Sequence, residues 1–187
     1  MDIQGFKTAL GSGGARPNQF KVGLTFPGGM TPEGDQLLLV TGASVPASTV
    51  NPAIIQYRGR EIKLAGERIF DPWTITIVND TSFGLRHAFE TWMEMMNQKQ
   101  DNQGAITPSE YQTDLSVTHL DRNDGELMRY DLREAFPINM SEIALQYAQN
   151  DIIEEFTVTF QYQDYEASHM NDAKANPGGG ASETVTA

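Results

Sequence analysis

The 187-residue chain contains no cysteine, which excludes disulfides, thiolate metal centres and cysteine nucleophiles together. It fits a protein that folds in a reducing cytosol. Basic residues are also scarce: 13 Lys and Arg stand against 25 Asp and Glu, for a formal net charge of −12. Stable binding to nucleic acid draws on clustered Lys and Arg that release counterions from phosphate. Here only Arg58, Arg60, Lys63 and Arg68 form a loose group, and no Lys or Arg lies between Arg133 and Lys174. That stretch holds Glu134, Glu142, Asp151, Glu154, Glu155, Asp164, Glu166 and Asp172. Such a surface favours solubility through self-repulsion and shuns nucleic acid. Long hydrophobic runs are missing, none approaching the roughly 18 residues of a membrane span. The opening Met1-Asp2-Ile3-Gln4-Gly5-Phe6 is neither basic nor followed by an apolar stretch, so no secretory leader is expected.

Catalytic constellations are absent too. Gly11-Ser12-Gly13-Gly14 follows no strand and opens no helix, so its backbone is not aimed at a phosphate. His87, His119 and His169 stand far apart, without metal-ligand spacing. No G-x-S-x-G flags a nucleophile. Glu154 and Glu155 point to opposite faces of a strand and cannot work as a pair. No catalytic, cofactor-binding or metal site is expected, and no cofactor.

What is present is period-two alternation, the mark of half-buried strands. Phe20, Val22, Leu24 and Phe26 alternate with Lys21, Gly23 and Thr25; Trp73, Ile75 and Ile77 with Thr74 and Thr76. Leu115 and Val117 alternate with Asp114, Ser116 and Thr118, and Phe156, Val158, Phe160 and Tyr162 with Glu155, Thr157, Thr159 and Gln161. Gln36–Val45 and Leu127–Arg133 are further candidates, the latter paired to Tyr111–Leu120 through a turn at 121–125. Seven or eight short strands argue for a β-sandwich or barrel. One helix interrupts them. Asp80, Thr81 and Ser82 offer N-caps, and Leu85, Phe89, Trp92 and Met96 recur at helical spacing until about Asn97. The ends differ in composition: residues 1–17 are expected to be a flexible arm, 18–165 the β domain, and 166–187 a flexible tail.

Several segments in order carry a family likeness. They include Tyr57-Arg58-Gly59-Arg60, Arg68-Ile69-Phe70-Asp71-Pro72-Trp73, Asn79-Asp80-Thr81-Ser82-Phe83-Gly84-Leu85-Arg86, Ala135-Phe136-Pro137 and Val158-Thr159-Phe160-Gln161-Tyr162. Over residues 18–165 the sequence resembles the tail tube proteins of contractile-tailed phages, relatives of the inner tube subunits of contractile injection systems. The resemblance implies a mainly β fold of two packed antiparallel sheets with one flanking helix. It implies a structural, non-enzymatic subunit forming hexameric rings stacked into a hollow conduit for DNA, which passes without specific binding. The implied partners are further copies of the chain, a sheath, a baseplate, a tape-measure protein and a tail terminator. The implied location is the virion, after assembly in the host bacterial cytoplasm, with the host membrane only a target of the finished machine.

A conduit for a polyanion needs an acidic or neutral polar lining. Asp114, Ser116 and Thr118 together with Glu155, Thr157, Thr159 and Gln161 are therefore expected to face the lumen. The segment Thr41–Gln56, interrupted by Pro46 and Pro52, reads as an irregular loop reaching for the next ring through Val45, Pro46, Val50, Ile54 and Ile55. Two other readings compete. The same architecture serves as the inner tube of an injection system or bacteriocin, and a monomeric β-barrel binds a small ligand in an apolar interior.

Overall fold

Where aromatic and β-branched residues alternate with threonine, the chain pairs into strands. The structure is a computed structural model and describes residues 2–10, 14–29, 36–148 and 150–169. Nine strands form among them: β1 (Phe20–Gly23), β2 (Val40–Ala43), β3 (Ser48–Tyr57), β4 (Arg60–Phe70), β5 (Trp73–Val78), β6 (Thr113–Leu120), β7 (Glu126–Met140), β8 (Glu155–Gln161) and β9 (Asp164–His169). Seven make one sheet in the order β1-β6-β7-β8-β5-β2, with β9 also on β7, while β3 and β4 form a separate ribbon. By contacts the chain divides into two compact units. One comprises 22–117 with 130–166, and the other the residues up to Lys21, 118–129 and the residues from Ala167.

The core of the first unit arises from the alternation. Trp73, Ile75 and Ile77 of β5 register with Phe160, Val158 and Phe156 of β8, and all six are buried. Helix α2 (Gly84–Met96) adds the buried Leu85, Phe89 and Trp92. Phe26 packs at 5.0 Å from Phe89 and 5.5 Å from Trp92, and Phe160 at 5.8 Å and 6.1 Å from the same two rings. Both indoles are satisfied, as buried N–H groups must be. Trp73 Nε1 donates to the Ser44 carbonyl at 2.6 Å and Trp92 Nε1 to that of Tyr111 at 2.7 Å.

The helix start differs from expectation in detail. The residue before its first turn is Phe83, held left-handed at φ 55°. Asp80 nonetheless caps from three residues further back, its Oδ1 accepting from Gly84 N at 3.2 Å. The Ser82 hydroxyl, which donates to the same carboxylate, is the main cause of its pKa lying below the usual value.

A second helix lies in the expected arm. Asp2 accepts from the backbone of Gln4 and Gly5 and caps α1 (Ile3–Ala9), none of whose residues is buried. Residues 11–13 of the arm fall outside the described residues, as does the expected tail from Met170. The first residues of that tail, Glu166–His169, belong to β9.

β7 carries the largest departure from simple alternation. Leu132, Ala135 and Pro137 all face the core, although the first two are three residues apart. Glu134, at φ 52°, is the extra residue, its N–H donating to Asp114 Oδ1 at 3.1 Å. Such a bulge bends the strand and re-aims the side chains beyond it.

The irregular loop expected over Thr41–Gln56 is largely a strand. β3 runs from Ser48 through Val50, Ile54 and Ile55, pairing antiparallel with β4 from Ser48↔Phe70 to Tyr57↔Arg60. Only the stretch 44–47, with Val45 and Pro46, lacks regular structure between β2 and β3. Two features hid the strand. Neither face of the ribbon is buried, so burial imposes no alternation on the sequence, and Pro52 argues against a strand. The proline is accommodated where the register shifts between Val50 and Pro52. There Gly66 lets the backbones approach, since a Cβ on it would lie 2.5 Å from the Asn51 carbonyl oxygen. Arg58 and Gly59, both with positive φ, close the hairpin in the sense that matches strand twist.

Candidate assembly surfaces

Two surfaces of the first unit stand out, and the first is the sheet face turned away from the core. On β5 and β8 its middle is built of threonine. Thr74 pairs with Thr159 and Thr76 with Thr157, and the Thr74 and Thr159 hydroxyls are 3.0 Å apart. β7 extends this face with Asn139 opposite Thr159 and Phe136 opposite Gln161. At the β5 edge, Gly42 sits across from Thr76 with no room to spare: a Cβ there would lie 3.2 Å from the threonine side chain. Carboxylates occupy the margins. Glu155 begins β8 opposite Val78, and Asp114 lies exposed near the start of β6. Ser116 comes next on this side of β6 and fills the space that Gly23 leaves by lacking a Cβ.

The sequence thus placed Thr157, Thr159 and Gln161 together, with Glu155 at their end, and Asp114 with Ser116 on β6 two strands away in the same sheet. It did not place Thr118. That residue, in the second unit, is only 5 % exposed, and the neighbouring Val117 is buried as well. Both faces of β6 are covered at this point, so alternation no longer assigns a solvent face. Thr74, Thr76 and Asn139 share this sheet face and were not among the residues expected to face a lumen. For the first two the signal was present, as the polar half of the Trp73-Ile75-Ile77 alternation.

The second surface is the β3–β4 hairpin. Cross-strand pairs Ala53–Leu64, Ile55–Ile62 and Tyr57–Arg60 share one face, while Ile54–Lys63 and Gln56–Glu61 occupy the other. Gln56 Nε2 donates to Glu61 Oε1 at 3.0 Å on that second face. Ile54, Ile55, Ile62 and Leu64 all remain about half exposed. Strands of ten and eleven residues span roughly 33 Å at about 3.3 Å per residue. The hairpin carries Arg58, Arg60, Lys63 and Arg68, the loose basic group, and the Arg58 guanidinium lies 5.4 Å from the Tyr57 ring centroid. Of the expected inter-ring residues, Val45, Val50, Ile54 and Ile55 are exposed, but Pro46 is buried.

That base is fixed by aromatic rings. Phe70 lies 6.0 Å from Tyr162 and 5.6 Å from Tyr165, and Tyr130 lies 6.0 Å from Tyr165. Ser48 Oγ is 3.3 Å from the Tyr165 hydroxyl and accepts from Arg68 Nη1 at 2.8 Å. Burial first, then the neighbouring Tyr165 and Asp71, pushes the Tyr162 phenol up to about 12. Burial likewise raises Tyr130. These phenols stay neutral at physiological pH, as donors and packing groups rather than acids.

Among the described residues no group of three His, Asp or Glu side chains is arranged to hold a metal ion, and no helix is long and apolar enough to cross a membrane. A sequence model of the family described as phage tail tube protein matches residues 15–168.

The chain belongs to the phage tail tube protein family.

It is 26% identical over 166 residues to the tail tube protein of Serratia phage KSP90, covering 86% of this chain and 93% of that protein. To tail tube protein gp19 of Enterobacteria phage T4 it is 27% identical over 146 residues, covering 78% and 86%. Solved structures share the fold at low identity. A chain of the six-fold symmetrised anti-feeding prophage baseplate aligns with TM-score 0.63 at 14% identity, covering 84% of this chain and 97% of that one. A chain of an extracellular contractile injection system sheath–tube complex in the extended state aligns with TM-score 0.56 at 14% identity, covering 88% and 97%. This tail tube protein is therefore a structural component of a contractile phage tail, related to the tubes of contractile injection systems. The mainly β fold with two antiparallel sheets and one main helix is as expected. The sheets are unequal, one of seven strands and one a two-stranded ribbon.

Proposed function

We propose that six copies of this tail tube protein close into a ring, and that rings stack into a hollow conduit through which DNA passes without specific binding. The number six is taken from the six-fold symmetry of the baseplate whose chain shares the fold. The observation that carries the reading is the uncharged threonine face in a subunit of formal charge −12. We assign Thr157, Thr159 and Gln161, with Thr74, Thr76 and Asn139 beside them, to the lumen, and Asp114, Ser116 and Glu155 to its margins. Open strand edges at β1 and β2 offer N–H and C=O groups that ring closure satisfies.

The hairpin, through Val50 and Ile55 and with Val45 at its base, meets the neighbouring ring, while Ile54 lies on the other face from Ile55. In this reading residues 18–165 form the tube domain and segments 1–17 and 166–187 are appendages to it. The subunit performs no catalysis. It assembles in the host cytoplasm around a tape-measure protein, on a baseplate, within a sheath and under a terminator, and the host membrane is only the target of the whole machine. Negative-stain electron microscopy of the purified protein tests the reading. Six-fold rings or hollow tubes are expected; a dispersed monomer at millimolar concentration, unchanged by addition of baseplates, would overturn it.

A further inference from the structure

The connection between β7 and β8, residues 141–154, contains no regular element in its described part, yet it displays large apolar side chains. Leu145 is 78% exposed, Ile152 68%, Ile153 70%, and Tyr147 is fully exposed. With Ile143 and Val78 these residues line an open groove of about 1100 Å³. Burying such side chains stabilises by about 1.5–3 kcal/mol each, so a contiguous set left in water marks an interaction surface. The rim of the groove is acidic: Asp151, Glu154 and Glu155 line it, and the stretch 141–155 holds four carboxylates and no basic residue.

The β3–β4 hairpin is of matching character. Its residues, 48–70, include four basic ones against two acids in an otherwise strongly acidic protein. Its apolar face, Ala53, Ile55, Tyr57, Ile62 and Leu64, is uncovered. Apolar face and basic tip on one element thus correspond to apolar floor and acidic rim on the other. Arginine and tyrosine, which the tip combines in Tyr57-Arg58-Gly59-Arg60, are the residues that most often anchor protein interfaces.

We infer that the groove lined by Val78 and by residues 143–147 and 151–155 is the receptor for the β3–β4 hairpin of a second copy of this chain. The inference deepens the inter-ring role proposed above, and rests on it, by naming the surface that the hairpin meets. A contact between two different patches is heterologous and propagates from copy to copy, as a stack of rings requires. Opposite charges at tip and rim select the docking register and make assembly sensitive to salt.

The absence of cysteine makes the test direct. Two single-cysteine proteins, Ile62→Cys on the hairpin and Ile152→Cys in the groove, are mixed in equal amounts, brought to assembly and oxidised. Because each chain has one thiol, every disulfide joins two chains. The expected result is a heterodimer on a non-reducing gel in at least tenfold excess over either homodimer. Adding Arg58→Glu and Arg60→Glu to the hairpin partner should lower its yield at least tenfold. Tubes without the heterodimer overturn the groove as receptor and leave the tube reading standing. Neither tubes nor heterodimer removes both, and a heterodimer without tubes supports the docking while removing the tube reading. A heterodimer yield untouched by the arginine reversals overturns recognition of the basic tip by the acidic rim. Circular dichroism of each variant confirms that the fold is retained.

Discussion

The two faces of the hairpin give a prediction that separates assembly from folding. Ile55 and Ile62 are a cross-strand pair on the apolar face, 50% and 45% exposed in the subunit. Ile54, 53% exposed, lies on the opposite face beside Gln56 and across from Lys63. Replacing isoleucine by threonine keeps the β-branched shape that strands favour and removes two carbons, worth about 0.8 kcal/mol each when fully buried. Only the half still exposed is available to assembly, which leaves about 0.8 kcal/mol per site, and desolvating the new hydroxyl brings it to about 1 kcal/mol. The pair Ile55→Thr/Ile62→Thr should thus cost about 2 kcal/mol per subunit, a roughly thirty-fold rise in the critical concentration for tube growth at 1.4 kcal/mol per tenfold. Within the subunit, substitutions at such half-exposed sites change stability by about 0.5 kcal/mol or less, so the urea midpoint should barely move. Sedimentation of assembled material against total concentration measures the first quantity and fluorescence in urea the second. If Ile54→Thr alone raised the critical concentration as much as the pair, or the pair left it unchanged, the assignment of the apolar face to the interface would be wrong.

Three further outcomes are expected from the core, the threonine face and the tyrosines. Phe160→Ala removes a fully buried ring that meets Trp73, Phe89 and Trp92 and should cost about 3–5 kcal/mol in urea titration; a loss below about 1 kcal/mol would mean that the core collapses around the vacancy. Thr159→Lys should leave tubes intact but make them retain DNA, with a log–log salt slope that steepens by about 0.9 for each phosphate engaged; tubes no stickier than wild type would take β8 out of the lumen. Tyr162 has its pKa raised from 10.0 to about 12 in the fold, so its neutral phenol favours folding below pH 10, and that contribution fades as pH climbs through 12. Alkaline unfolding monitored by near-ultraviolet circular dichroism should show stability falling across this window in wild type, and falling less in Tyr162→Phe.

The legibility of each element in the sequence depends on which of its surfaces are buried within one subunit. β5, β8 and α2 were legible because each buries one face: Trp73-Ile75-Ile77, Phe156-Val158-Phe160 and Leu85-Phe89-Trp92 lie inside, with polar partners between them. β3 and β4 were not, because their apolar residues stay uncovered in the subunit and no alternation is imposed on them. The parity of a strand also fails where burial is two-sided or where a bulge intervenes. Thr118 looked like the third member of a polar face and is buried. Beyond Glu134 the core side shifts by one residue, so Ala135 and Pro137 point inward where simple alternation from Leu132 would place Glu134 and Phe136.

The threonine face also sharpens what the lack of basic residues means. A basic wall holds a polyanion, and an acidic wall repels it only within a Debye length, about 8 Å at physiological salt. Removing charge is not sufficient for free passage, because serine, threonine and asparagine side chains donate hydrogen bonds to phosphate as well. Here the hydroxyls of Thr74 and Thr159 lie within hydrogen-bond distance of one another, which leaves at most one of the two free to donate outward. Their methyl groups add a surface with no affinity for phosphate at all. In the proposed lumen, internal pairing therefore does for these hydroxyls what the absence of lysine does for the wall as a whole. By the same reasoning, Thr74→Val, which frees the Thr159 hydroxyl by removing its partner, should make the lumen stickier to DNA than the double change Thr74→Val/Thr159→Val. The extra retention should be modest beside that of Thr159→Lys, since a neutral donor lacks the counterion release that a cation brings.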